Sequence, residues 1–124
     1  MYAELHAHSA YSFLDGASSP EELAAAAAVH GYEAVALTDH DGIWGAMEFA
    51  QACKGLGVKA ITGAEVTLDD GSHLTLLAQD RKGYSNLCRL LTLAHADLPK
   101  GESSLELEWL SAHHQGLFAL IPAP

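Results

Sequence analysis

Histidines and carboxylates recur in this chain at three places where a short apolar run begins or ends. They are Glu4-Leu5-His6-Ala7-His8-Ser9, Thr38-Asp39-His40-Asp41 and Gly63-Ala64-Glu65. Val35-Ala36-Leu37 precedes the second cluster and Val58-Lys59-Ala60-Ile61 the third, and both runs have the make-up of β-strands. Imidazole nitrogen and carboxylate oxygen are donors for divalent metals. Delivered at the ends of successive strands, they are what a barrel-like α/β enzyme uses to build a metal site.

Taken singly, each residue has a plainer explanation. His6 and His8 lie two apart, so on a strand both point to one face and can chelate one cation. A lone His-x-His pair is weak evidence by itself, and its plainer reading is two partly exposed histidines at a strand end. His40 has Asp39 beside it, which can bind metal directly or orient the imidazole from behind. Asp41, before Gly42, reads as a turn or helix cap. Glu65 could bridge two metals, or be an ordinary glutamate on an edge strand. Asp15, before Gly16, is by itself a turn residue, and His73 by itself an exposed one. His30, His95, His113 and His114 fall at helix ends or on the surface and receive no role; His30 and the 113–114 pair suit the negative end of a helix.

The elements that must position these groups are legible. Residues 2–7 read as a first strand. Ser19-Pro20-Glu21-Glu22 is a helix start, with Ser19 as cap, Pro20 in the first turn and Glu22 completing a capping box. That helix runs to His30 and ends at Gly31. A second strand covers Ala34–Thr38, a second helix about Trp44 to Lys54, and a third strand Val58–Thr62. Glu65-Val66-Thr67-Leu68 and His73-Leu74-Thr75-Leu76-Leu77-Ala78 flank Asp69-Asp70-Gly71-Ser72 and predict a hairpin. A third helix starts near Gly83 and carries Leu87, Leu90, Leu91 and Ala94 at helical spacing. A short helix over 104–114 and a last strand Leu117–Ile121 complete a βαβαββαβ order. Such alternation implies right-handed crossovers and a largely parallel sheet. The chain stops at Pro122-Ala123-Pro124 directly after a strand, so residues 1–124 read as one domain, the N-terminal part of a larger barrel.

With 124 residues and 49% hydrophobic content the chain can bury a core. Its net charge of −10 argues against gripping nucleic acid through a basic face, although bound divalent metals would reverse the field locally. Cys53 and Cys88 read as reduced thiols of a cytosolic protein. No signal peptide is visible, and the Ala24–Ala28 run is too short for a membrane. Phosphate loops, dinucleotide fingerprints and a nucleophile elbow are missing from the sequence.

In combination the motifs resemble a known family. Glu4-Leu5-His6-Ala7-His8-Ser9, Tyr11-Ser12-Phe13-Leu14-Asp15-Gly16, Leu37-Thr38-Asp39-His40-Asp41-Gly42 and Gly63-Ala64-Glu65 resemble the PHP (polymerase and histidinol phosphatase) domain. His73-Leu74-Thr75-Leu76-Leu77-Ala78 followed by Gly83-Tyr84-Ser85-Asn86-Leu87 narrows the resemblance to the N-terminal PHP domain of bacterial DNA polymerase III alpha subunits, the error-prone branch included. The resemblance implies a distorted (β/α)7 barrel, here truncated, with up to three divalent metals (zinc, manganese or iron). By position, His6 and His8 would bind one metal, Glu65 would bridge it to a second held by His73, and Asp15 and His40 would hold a third. Asp39 would support from behind, and no catalytic residue is implied beyond the ligands. The metals would activate water for attack on phosphorus and stabilise charge on the phosphate oxygens. The implied activity is phosphoester hydrolysis in the cytoplasm, with 3′–5′ exonuclease proofreading in some polymerases. DNA and replication proteins would be partners through the parent polymerase. The alternatives are a structural and interaction module of the polymerase, or a stand-alone phosphatase acting on small phosphate esters. Family ligands expected after the last strand, a histidine or cysteine and a late Asp-x-His, have no counterpart before Pro124, so each metal would lack part of its shell.

If His6 and His8 are ligands, replacing both with alanine lowers the metal content of protein purified without chelator, while circular dichroism shows the helices intact. Unchanged metal stoichiometry by elemental analysis would refute the assignment.

Overall fold

The computed structural model describes the backbone of residues 3–7 and residues 18–121. The elements run β1 (Ala3–Ala7), α1 (Pro20–Val29), β2 (Ala34–His40), α2 (Ala46–Leu56), β3 (Lys59–Thr67), β4 (His73–Ala78), α3 (Arg81–His95), α4 (Leu107–Ala112) and β5 (Leu117–Leu120).

Local chemistry accounts for the helix ends. The Ser19 hydroxyl accepts from the Glu22 N–H at 3.1 Å, and the Glu22 carboxylate accepts from the Ser19 N–H at 3.0 Å. These bonds hold the Glu22 carboxyl below its ordinary range. Gly31 and Gly57 leave α1 and α2 with positive φ angles of 75° and 74°. The third helix begins two residues before Gly83, because the Asp80 carboxylate caps it by accepting from the Gly83 N–H at 2.8 Å.

The sheet order is β1-β2-β3-β4-β5. β1 and β3 flank β2 in parallel; β4 pairs antiparallel with both β3 and β5. The expected largely parallel sheet is therefore mixed in its pairing. Both antiparallel ladders come from one inverted strand, β4, which the hairpin at Asp69–Ser72 turns back on β3. β5 then runs in the direction of β1, β2 and β3.

Two strands are longer than expected. β2 extends to His40. β3 runs without a break through Gly63 and Ala64, which suggested its end in the sequence, so Glu65 lies within a central strand rather than after one. The glycine is there for close approach: a Cβ at Gly63 would sit 2.5 Å from the Leu76 carbonyl oxygen and 3.0 Å from Thr38 Cγ2.

Period-two alternation sorts the side chains onto two faces. On one face Val35 and Leu37 pack with Ala24, Ala27, Phe49, Cys53 and Val58 from the α1–α2 side. Farther along the same face, Ala64, Val66, Leu74 and Leu76 pack with Leu87, Leu90, Leu91 and Ala94 of α3. The other face carries Thr38 and His40 of β2, Gly63, Glu65 and Thr67 of β3, and His73, Thr75 and Leu77 of β4. Phe118, paired with Leu77, extends this face on β5 and is 59% exposed. Both cysteines are free thiols, and burial pushes the Cys53 thiol up. Among the described residues, no helix is long and apolar enough to cross a membrane.

The start of α3 rests on the turn into β5, where a Cβ at Gly83 would run into the Gly116 carbonyl. Gly83→Ala should therefore cost about 1–3 kcal/mol or more. Gly55→Ala, where a Cβ meets nothing, should gain up to about 1 kcal/mol from helix propensity. Thermal unfolding of the two variants checks both signs, and equal midpoints would show the close approach to be unimportant.

Candidate metal centre

The parallel ladder between β2 and β3 brings the donors together. Its register is continuous from Ala34↔Lys59 to His40↔Glu65. Residues paired in this way project to the same face, so the last pair sets an imidazole against a carboxylate at the carboxyl end of β2. His40 Nδ1 lies 2.6 Å from Glu65 Oε2, and the Glu65 side chain is 10% exposed. A nitrogen donating to a carboxylate at this distance makes a short, charge-assisted contact. The antiparallel ladder adds the third group. Glu65 pairs with Thr75 and Thr67 with His73, which places His73 diagonally across from Glu65 on the same face. The His40 and His73 rings lie 6.0 Å apart between centroids.

Asp39 behaves differently. It is 1% exposed and alternates onto the helix-covered face with Val35 and Leu37, on the side of β2 away from the His40 imidazole. His6 lies near the carboxyl end of β1, which pairs with β2 up to Ala7↔Leu37. His8 and Asp15 lie outside the described residues. Among the described residues, no three His, Cys, Asp or Glu side chains converge on one point. His40 and Glu65 touch, and the exposed His73 flanks them. This donor set of imidazoles and a carboxylate, held at one sheet end, has the chemistry that zinc, manganese or iron(II) takes up.

Sequence reasoning passed over the residue that closes this corner. Asp41, read as a turn residue, adopts a left-handed φ of 54°. Its N–H donates to the Glu65 carbonyl at 2.7 Å, and its carboxylate accepts from the Thr67 N–H at 2.8 Å and the Thr67 hydroxyl at 3.0 Å. The Asp41 carbonyl lies 2.6 Å from His95 Nε2, and the Trp44 indole N–H donates to the His40 carbonyl at 3.1 Å. The available signal was Thr67, two residues beyond Glu65 and so on the same face of the strand.

A groove lies elsewhere, toward the amino end of β3, lined by Ile61, Leu77, Gln79, Tyr84, Phe118 and Leu120. None of the candidate ligands is among its described lining residues.

Residues 4–124 match the PHP domain family. Over 94 residues the chain is 53% identical to the error-prone DNA polymerase of Symbiobacterium thermophilum, a match that covers 76% of this chain and 9% of that protein. The chain spans about a tenth of the length of the curated relatives it matches. Among solved structures it is similar to an amidohydrolase from Chromobacterium violaceum, solved with bound sulfate and no metal. That match has a TM-score of 0.62 and 32% identity over 77% of this chain and 34% of the other. A candidate metal-dependent phosphoesterase from Bifidobacterium adolescentis superposes with a TM-score of 0.60 and 26% identity, over 76% of this chain and 33% of the other. The five strands and their helices thus correspond to part of a PHP-type barrel. With the match running from Glu4 to Pro124 and the sheet laid out as in these solved structures, the chain belongs to the PHP domain family.

Proposed function

We propose that this chain is the metal-dependent phosphoesterase module of an error-prone type DNA polymerase. The observation that carries the reading is the contact of His40 with Glu65 at the carboxyl end of neighbouring parallel strands. Residues His6, His8, Asp15, His40, Glu65 and His73 are the proposed ligands of up to three divalent cations, zinc, manganese or iron. When bound, the cations supply an electrophile for the phosphate oxygens and a water activated for attack on phosphorus. The chain's own part is to hold nitrogen and oxygen donors on one face of the sheet while the helices cover the other. Asp39, on the covered face, would support β2 from behind rather than touch a cation.

The proposed substrate is a phosphate ester, and in the longer polymerase the 3′ end of a DNA strand, removed by 3′–5′ exonuclease action in the cytoplasm. A net charge of −10 supports a division of labour, because a surface of this sign repels the DNA backbone. The grip on DNA would then come from other parts of the polymerase, and the cations would offset the charge only at the site. A second reading, a structural and interaction module for replication proteins, draws support from Phe118 and Ile121, which are 59% and 83% exposed.

The two readings separate in a hydrolysis assay with bis(p-nitrophenyl) phosphate and Mn2+. A phosphoesterase turns the ester over, and His40→Ala and Glu65→Ala each lower the rate by at least about 10–100-fold, as loss of groups around a metal does. Metal-bound protein with no turnover, and no effect of either variant, would favour the structural module.

A further inference from the structure

We infer that Asp41 and His95 are positioning residues for this centre, a brace that sets His40 against Glu65 before any cation arrives. The inference rests on the cation-binding reading above and extends it to two residues that family resemblance and sequence pattern left without a role.

The geometry of Asp41 supports this. It immediately follows His40, and three of its groups are committed at once. The N–H is bonded to the carbonyl of Glu65, the residue that pairs with His40. The carboxylate takes both the N–H and the hydroxyl of Thr67, two residues farther along β3. Together these bonds grip β3 at Glu65 and beyond it, from the residue next to His40. A turn aspartate ordinarily bonds backbone a few residues away, as Asp70 and Asp80 do; the Asp41 carboxylate instead bonds a neighbouring strand 26 residues on. The left-handed φ of 54° lets the chain leave β2 while the side chain still points back at β3.

His95 secures the third group. It is the last residue of α3, and its Nε2 lies 2.6 Å from the Asp41 carbonyl oxygen. Its Nδ1 lies 3.0 Å from the Glu102 carbonyl oxygen; both neighbours are acceptors, so the tie to Asp41 is made by the tautomer that carries its N–H on Nε2. The Trp44 ring stands edge-on to it at 6.1 Å, while the Trp44 indole N–H holds the His40 carbonyl. The peptide group that follows His40 is thus held at both poles, by Trp44 at the His40 carbonyl and by Glu65 at the Asp41 N–H. α3, whose Leu87, Leu90 and Leu91 are anchored in the core, is the rigid body behind that knot. Donors fixed in this way lose less conformational freedom when they close on a cation, which tightens binding.

The test compares truncating with conservative variants of the full chain. Mn2+ and Zn2+ affinities are measured by calorimetric titration for wild type, His40→Ala, Asp41→Ala, Asp41→Asn, His95→Ala and His95→Gln. The imidazole N–H resonance of His40 is followed by NMR in the metal-free proteins. An Asn at 41 can still accept from the Thr67 N–H and can donate to its hydroxyl, and a Gln at 95 can still donate to the Asp41 carbonyl. Asp41→Ala and His95→Ala should weaken the cation by about 10–100-fold and broaden or remove the His40 resonance. The Asn and Gln variants should recover most of both. Alanine variants that bind like wild type with the resonance intact would overturn the brace. Asp41→Asn as weak as Asp41→Ala would also overturn it, by making the carboxylate charge itself a ligand. If wild type binds neither cation, the metal reading fails separately, and the His40 resonance alone decides the brace. Should the alanine variants unfold, Thr67→Val removes one bond of the brace at constant shape. It should then weaken binding measurably, and wild-type affinity would count against the proposal.

Discussion

Everything at the candidate centre depends on the parallel register of β2 against β3. Seven consecutive pairs, from Ala34↔Lys59 to His40↔Glu65, hold without a bulge. A slip of β2 by one residue would send His40 to the helix-covered face and Asp39 to the face that carries Glu65, because side chains alternate strictly along a strand. The register is fixed by what lies on the covered face. Val35, Leu37, Ala64 and Val66 are nearly inaccessible in the layer under the helices, and a slip of either strand would take that strand's pair out of this packing. Burial of ordinary aliphatic side chains on one face therefore positions the ionisable ones on the other.

The inverted strand β4 adds to this economy. Had the third strand been followed by another helical crossover, its neighbour would present its carboxyl end beside Glu65. The hairpin instead returns the chain at once and brings the amino end of β4, with His73, next to the carboxyl end of β3. Gly63 makes this packing possible on the open face, because any larger residue would press on the Leu76 carbonyl and Thr38. The glycine in Gly63-Ala64-Glu65 thus serves strand spacing, two residues from the carboxylate that meets His40.

The apolar exposure of Phe118 lies on the same face as the donors. One face of this sheet packs with α1, α2 and α3; on the other, Ala36, Thr38, Glu65, Thr75 and Leu77 are buried as well, and exposure of apolar side chains is concentrated at Phe118 and Leu120 of β5.

The sequence by itself determined the local elements. The capping box at Ser19 and Glu22, the glycines after α1 and α2, the Asp-Gly hairpin and the leucine spacing of α3 each act within a few residues, so their chemistry is visible in linear order. It also supplied the donor types, and the combination of motifs was specific enough to point to the family that the match over residues 4–124 established. The tertiary structure alone decided which donors meet and how. That Glu65 lies inside a continuous β3, that Asp39 turns away from His40, and that Asp41 and His95 tie the corner together are non-local facts. They follow from which strand lies beside which and which face the helices cover. Hydrogen bonds between residues 26 and 54 positions apart leave no periodic trace in a sequence, because nothing local requires them.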